Sequence, residues 1–146
     1  FIGTHERSTD IIRHYKKRFR ANGKGFKKAQ AILSVACICA DSKEEAAYIA
    51  APNMYWKVMA FRHGIREAIR SPEDALDRYK NLSLSDKAYY QETLDTVISG
   101  TPTECRSHIE ELAMDYDVDE VMLVNVIYDF ADRCASYSKL MAEFKI

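Results

Sequence analysis

The side chains in this sequence that could do chemistry on their own are few, and their spacing matters more than their number. The histidines His5, His14, His63 and His108 do not combine with another ligand type in a recognisable metal-binding motif, so no metal centre is expected. Cys37, Cys39, Cys105 and Cys134 form neither a CxxC pair nor a disulfide framework, and no base is placed to activate any of them as a nucleophile. Each lies in an apolar run or on an apolar helical stripe, which reads as four buried, reduced thiols and favours a reducing cytoplasm. Sequences of the GxGxxG, Walker and GxSxG types are absent, removing the main support for dinucleotide, kinase-like and serine-hydrolase chemistry.

A basic run, Lys16, Lys17, Arg18 and Arg20 followed by Lys24, Lys27 and Lys28, could grip phosphate. The chain carries 21 basic against 22 acidic residues, so a solvated helix face with dipole-complementing cations is the better reading. Near-neutral charge makes nucleic acid and anionic membrane poor partners. No run of about 18 apolar residues occurs and the beginning does not resemble a signal peptide, so no membrane span is expected.

Two stretches must be strands. Ala29 to Ala40 is almost continuously apolar, as in a parallel strand covered on both faces, and Glu120 to Ile127 gives a second, mostly apolar strand. Helices flank them. Ser8 or Thr9 is placed to cap a first helix carrying Ile11, Ile12, Tyr15 and Phe19. Asp41 is placed to cap a long second helix, interrupted near Pro52. Ser71 and Ser85 open short helices in an irregular stretch from Arg62 to Gly100. That stretch is too long for a bare connection and is expected to be a lid or insertion. Thr101-Pro102-Thr103-Glu104 has the form of a capping box. Asp129 caps a final helix with Phe130, Cys134, Tyr137, Met141 and Phe144 on one stripe. The alternation of helix and strand specifies an α/β fold with parallel strands, expected as a single domain over 1–146.

Three segments resemble one family. Ser34 to Ala46, with its Ala40-Asp41 turn and acidic, alanine-rich helix, is similar to the seventh strand and following helix of luciferase-like monooxygenases. Gly100-Thr101-Pro102-Thr103-Glu104-Cys105 through Leu112 resembles the helix before the last strand of that family. Asp119 to Asp129, with Arg133, Ser136-Tyr137 and Leu140, resembles the eighth strand and closing helix. The resemblance implies a β/α barrel that binds reduced FMN at the carboxyl ends of its strands and uses O2 to oxidise an aldehyde or other small organic substrate. A full barrel needs roughly 250 residues, against 146 in this chain. The resemblance therefore implies a partial barrel, its C-terminal portion, starting inside something longer. Such a portion is expected to be inactive alone, to have lost FMN, and to self-associate or pair with the missing half.

In a barrel, active-site groups project from the carboxyl ends of strands. That rule, with the resemblance, selects Thr4, His5, Asn125 and Tyr128 as cofactor-binding candidates. Tyr55, Trp56, Arg62 and His63 fall where the family carries a mobile loop and are candidates for substrate contact or lid closure. Asp41 is expected to be a cap only, and no residue is assigned catalysis. A second possibility is a self-sufficient α/β interaction module without a cofactor, which predicts a compact monomer.

Overall fold

The computed structural model describes residues 5–20 and 27–145, with side chains described from residue 9 onward. The elements are α1 (His5–Arg18), β1 (Ile32–Cys39), α2 (Lys43–Arg62), α3 (Pro72–Lys80), α4 (Leu84–Asp95), β2 (Ile98–Gly100), α5 (Pro102–Asp115), β3 (Glu120–Val124) and α6 (Phe130–Phe144). They build a helix-rich α/β fold around a three-stranded parallel sheet of order β2-β1-β3. The register of β1 on β2 sets Cys37 beside Ile98, Ile38 beside Ser99 and Cys39 beside Gly100. β2 is absent from the pattern-based reading because three residues, Ile98-Ser99-Gly100, are too few to display a period.

The chain divides into two compact units, one made of the residues up to Val35 with Ser107–Val124, the other of Ala36–Arg106 with the residues from Asn125 onward. In the first unit Leu33, Val35, Ile109, Tyr116 and Val118 are buried. Helix α5 ends where Asp117 takes a left-handed conformation (φ 51°), and the N–H of Val118 reaches back to the carbonyl of Ala113. Lys16 of α1 donates to the Asp117 carboxylate at 2.7 Å, so one member of the basic run is spent on a structural pair. Helix α1 starts at His5, ahead of the expected caps Ser8 and Thr9, which lie within its first turns. Its expected apolar stripe is not a core face, since Ile11 and Tyr15 are exposed.

The second unit holds the larger core, which includes Ile38, Ile49, Met54, Tyr55, Val58, Tyr90, Val97 and Ile127. α2 runs through its centre. Alanines at 46, 50 and 51 let neighbours approach closely, and the helix is buried nearly all round from Ile49 to Tyr55. That encirclement explains why α2 continues unbroken through Pro52, correcting the expected interruption. Packing on every side outweighs the one intrahelical bond that proline cannot donate. The cap is Ser42, not Asp41: its hydroxyl accepts from the N–H of Glu45 at 3.1 Å, while the Glu45 carboxylate takes the N–H of Asp41 at 2.8 Å.

α3 and α4 are capped by Ser71 and Ser83. Ser83 displaces the expected Ser85 because its hydroxyl both accepts from the N–H of Asp86 and donates to that residue's carboxylate. α5 opens as a variant of the expected box. The Glu104 carboxylate accepts from the Thr101 N–H at 3.1 Å and also from its hydroxyl at 3.0 Å. In α6 the cap Asp129 is as expected, accepting from Ala131 and Asp132. Its buried face is not. Ser136 and Leu140 point into the core, while Phe130, Cys134, Tyr137 and Met141 are exposed. The reason lies in β1: the Cys39 N–H needs an acceptor, and the Ser136 hydroxyl supplies it at 2.9 Å. Of the four cysteines, three are buried as expected and Cys134 is not.

Glu104 also pairs with Lys43 at 2.9 Å. That hydrogen bond, with those from Thr101, holds its carboxyl down at about 2, from an ordinary 4.5. A carboxyl depressed on folding stabilises the folded state above its unfolded value and loses that effect as pH falls. The stability gap between the wild type and Glu104→Gln, measured by urea denaturation, is expected to be present at neutral pH and to close between about pH 4.5 and about 2. A gap that persists unchanged at pH 2 would contradict the assignment.

Candidate functional site

β1 delivers Ala40 and Asp41 at its carboxyl end. Ala40 is buried and donates its N–H to the Gly100 carbonyl at 2.9 Å. Asp41 is exposed and paired with Lys139 of α6, so it ties a loop to a helix. β3 delivers Asn125, whose side-chain amide donates to the Ser136 hydroxyl at 2.9 Å. The same hydroxyl holds Cys39. The other amide atom of Asn125, Oδ1, is buried without a hydrogen-bond partner. Exchanging the amide's N and O leaves one polar atom over in either orientation, so Asn125 keeps an unspent hydrogen bond.

Three residues beyond, Tyr128 is 53 % exposed. It lines an open groove with Glu67, Ala68, Ile69, Arg70, Ser71 and Asp74. Glu67, Ala68 and Arg70 also wall a smaller cavity of about 80 Å³, whose apolar lining comes from Pro52, Tyr55, Trp56, Met59 and Ile65. The segment between α2 and α3 is fastened over this cavity by the Trp56 indole N–H, which donates to the Glu67 carbonyl at 2.7 Å. Three of the sequence-selected residues, Tyr55, Trp56 and Tyr128, thus surround one stretch of chain, residues 65–71.

Arg62 and His63 are engaged elsewhere. The buried Asp86 carboxylate accepts from Arg62 Nε at 2.6 Å, lies 3.2 Å from His63 Nε2, and takes the Ser83 hydroxyl at 2.7 Å. Ser83 first, then Arg62, hold the Asp86 carboxyl below its usual range. Arg62 also contacts Ser85 and stands over the Tyr89 ring, 5.6 Å from its centroid. The cluster clamps the end of α2 to the start of α4. Thr4 lies outside the described residues. His5 opens α1 instead of ending a strand, and its side chain is outside the described set.

Thiolate chemistry finds no support. Burial pushes the Cys39 thiol up to about 12, and Cys105 is raised by its sulfur contact with Cys37 and by burial. Among the described residues no three His, Cys, Asp or Glu side chains converge as a cation site. No helix among them is long and apolar enough to cross a membrane.

FMN can be tested against these groups. The unpaired amide atom of Asn125 and the exposed ring of Tyr128 suit a planar, hydrogen-bonding heterocycle. Among the described residues the helices that start after β1 and β3 do not suit the phosphate, since they carry Glu44 and Glu45, and Asp132, in their first turns. Those carboxylates oppose an anion at the helix N-termini.

A parallel sheet whose strands are joined by helical crossovers defines an α/β fold. The luciferase-like monooxygenase family model matches residues 2–117, and the chain belongs to that family. Two proteins of Bacillus subtilis (strain 168), both of uncharacterised function, are similar: YceB, 27 % identical over 95 % of this chain, and YwcH, 27 % identical over 91 %. The chain spans 41 % and 39 % of their lengths. Among solved structures, apo-MsnO8 superposes with a TM-score of 0.78 at 20 % identity, over 94 % of this chain and 41 % of its own. The riboflavin lyase RcaE, solved with modified FMN and riboflavin, gives 0.55 at 17 % identity, over 95 % of this chain and 36 % of its own. These likenesses establish the fold.

Sequence reasoning did not find Ser136 as the hub of the Cys39–Asn125 network, nor Asp86, Arg70 and Arg78. The signal for the last two was legible: Arg70, Asp74 and Arg78 stand four apart, the spacing of a helical ion-pair ladder.

Proposed function

We propose that this chain is the C-terminal segment of an FMN-dependent luciferase-like monooxygenase that oxidises an aldehyde or other small organic substrate with O2, and that the isolated chain is inactive. The observation carrying this is the parallel β1–β2 pairing that ends in a polar cluster while β3 stands at the sheet edge, in a chain spanning two fifths of its relatives. Reduced flavin, when bound, supplies the electrons for oxygen chemistry. Asn125 and Tyr128 face the cofactor. Asn125 offers its unspent amide atom to the ring edge, and Ser136 fixes its rotamer. Tyr55 and Trp56 contact substrate, and residues 62–100 form a packed insertion, with Ala75, Tyr90 and Val97 in the core and Ile98–Gly100 as β2, held to the end of α2 by Arg62 and His63 through Asp86.

The phosphate grip belongs to the rest of the barrel, so FMN is not retained by this chain. The outer edge of β3 and its exposed Met122 and Val124 would pair with that missing half or, in its absence, with another copy. The substrate is a small molecule; nucleic acid and membrane are not partners, and the protein works in the cytoplasm.

Purified chain mixed with FMN, a reductase and NADH is expected to leave flavin fluorescence unquenched and aldehyde unoxidised. Robust turnover would overturn the inactivity. A clean monomer of 16.8 kDa by light scattering at high concentration would favour a self-sufficient interaction module.

A further inference from the structure

The cavity between α2 and the 65–71 segment is walled by charged groups that are already paired. The Trp56 indole N–H is spent on the Glu67 carbonyl. Arg70 is paired with Asp74 at 2.9 Å and with Glu67, and Arg78 with the same Asp74 at 2.8 Å. The Tyr55 hydroxyl lies against Arg78. Two guanidinium groups therefore face two carboxylates, with no cationic charge left over for a ligand. What remains unspent is apolar: the rings of Tyr55 and Trp56, Pro52, and the side chains of Met59 and Ile65.

We propose that this cavity is a specificity pocket for a small uncharged apolar group, a short alkyl or aryl-edge substituent, and that it rejects an anion of the same size. An entering carboxylate would meet guanidiniums whose charge is already matched by Glu67 and Asp74, so like-charge repulsion and the loss of its own hydration oppose binding. An alkyl group would lose nothing and bury surface against two aromatic rings. The space, about 80 Å³, suits a chain of a few carbons, being smaller than the roughly 150 Å³ cavity that admits benzene. The pocket would select the substituent of the substrate of the proposed oxygenase and rests on that reading only for the reaction served.

Trp56 is the one tryptophan of the sequence, so its indole N–H gives one cross-peak in a ¹⁵N–¹H correlation spectrum of the intact chain. Titration with 1-butanol should move that peak saturably, while butyrate should bind about tenfold more weakly or worse. Ala68→Leu, which adds bulk to the cavity wall, should weaken the butanol response about tenfold. Ile65→Phe narrows the space from a second position and should do the same if Ala68→Leu fails to fold. Butyrate binding as well as butanol would overturn the proposal. A butanol shift that stays linear, or persists unchanged in the folded variants, would overturn it too. Flavin is absent from this measurement, so its failure leaves the flavin reading standing, and a failure to bind flavin leaves the pocket standing.

Discussion

Truncating Met54 to alanine is expected to lower the unfolding free energy by about 2–5 kcal/mol, the range for removing a fully buried large aliphatic side chain. Met54 is completely inaccessible on α2, within a cluster that includes Ile38 of β1, Ala75 of α3 and Tyr90 of α4. The surrounding residues are themselves held by backbone pairing and capped helices, so the cavity cannot readily collapse. Met114→Ala provides the contrast. That methionine is 79 % exposed on α5, and its loss should change stability by no more than about 0.5 kcal/mol. Urea denaturation of the two variants checks both numbers. Equal effects would mean that α2 is not the centre of the core.

The second large effect is expected at Ser136. Its hydroxyl is the acceptor for the Cys39 N–H and the partner of the Asn125 amide, both at 2.9 Å. Ser136→Ala leaves those two donors without a partner in a site where the serine itself is 3 % exposed. A buried polar group stranded in this way costs about 1–3 kcal/mol. Ser138→Ala, two residues along on the exposed side of α6, should be close to neutral. The variant should also free the Asn125 side chain, read as altered exchange of its amide protons. A Ser136→Ala protein as stable as wild type, with Asn125 unchanged, would remove Ser136 from its proposed positioning role.

The sequence made the skeleton legible wherever one force dominated. β1 stood out because continuous burial at Cys37, Ile38 and Cys39 demands continuous apolarity. The caps of α3 and α6 followed from side-chain oxygens placed before helical stripes. Errors arose where forces competed. α6 carries a regular apolar stripe, yet it turns Ser136 inward, because an unpaired backbone N–H at Cys39 outweighs the burial of Tyr137 or Met141. Pro52 marked a break that encircling contacts overrode. At the candidate site, Tyr55, Trp56 and Tyr128 could be selected by position, but the fate of Arg62 and His63 depended on Asp86. A buried carboxylate some 24 residues away leaves no trace in local spacing.

The proposed reading, the last strands of a flavin barrel whose phosphate is gripped elsewhere, turns on whether this chain binds FMN. The most direct measurement is an FMN fluorescence-quenching titration of this chain beside the protein translated from the complete reading frame around Phe1. Saturable quenching by the longer protein, with little or none by the 146-residue chain, is the predicted result. Equal affinity in both, or a reading frame that adds no upstream strands, would contradict it.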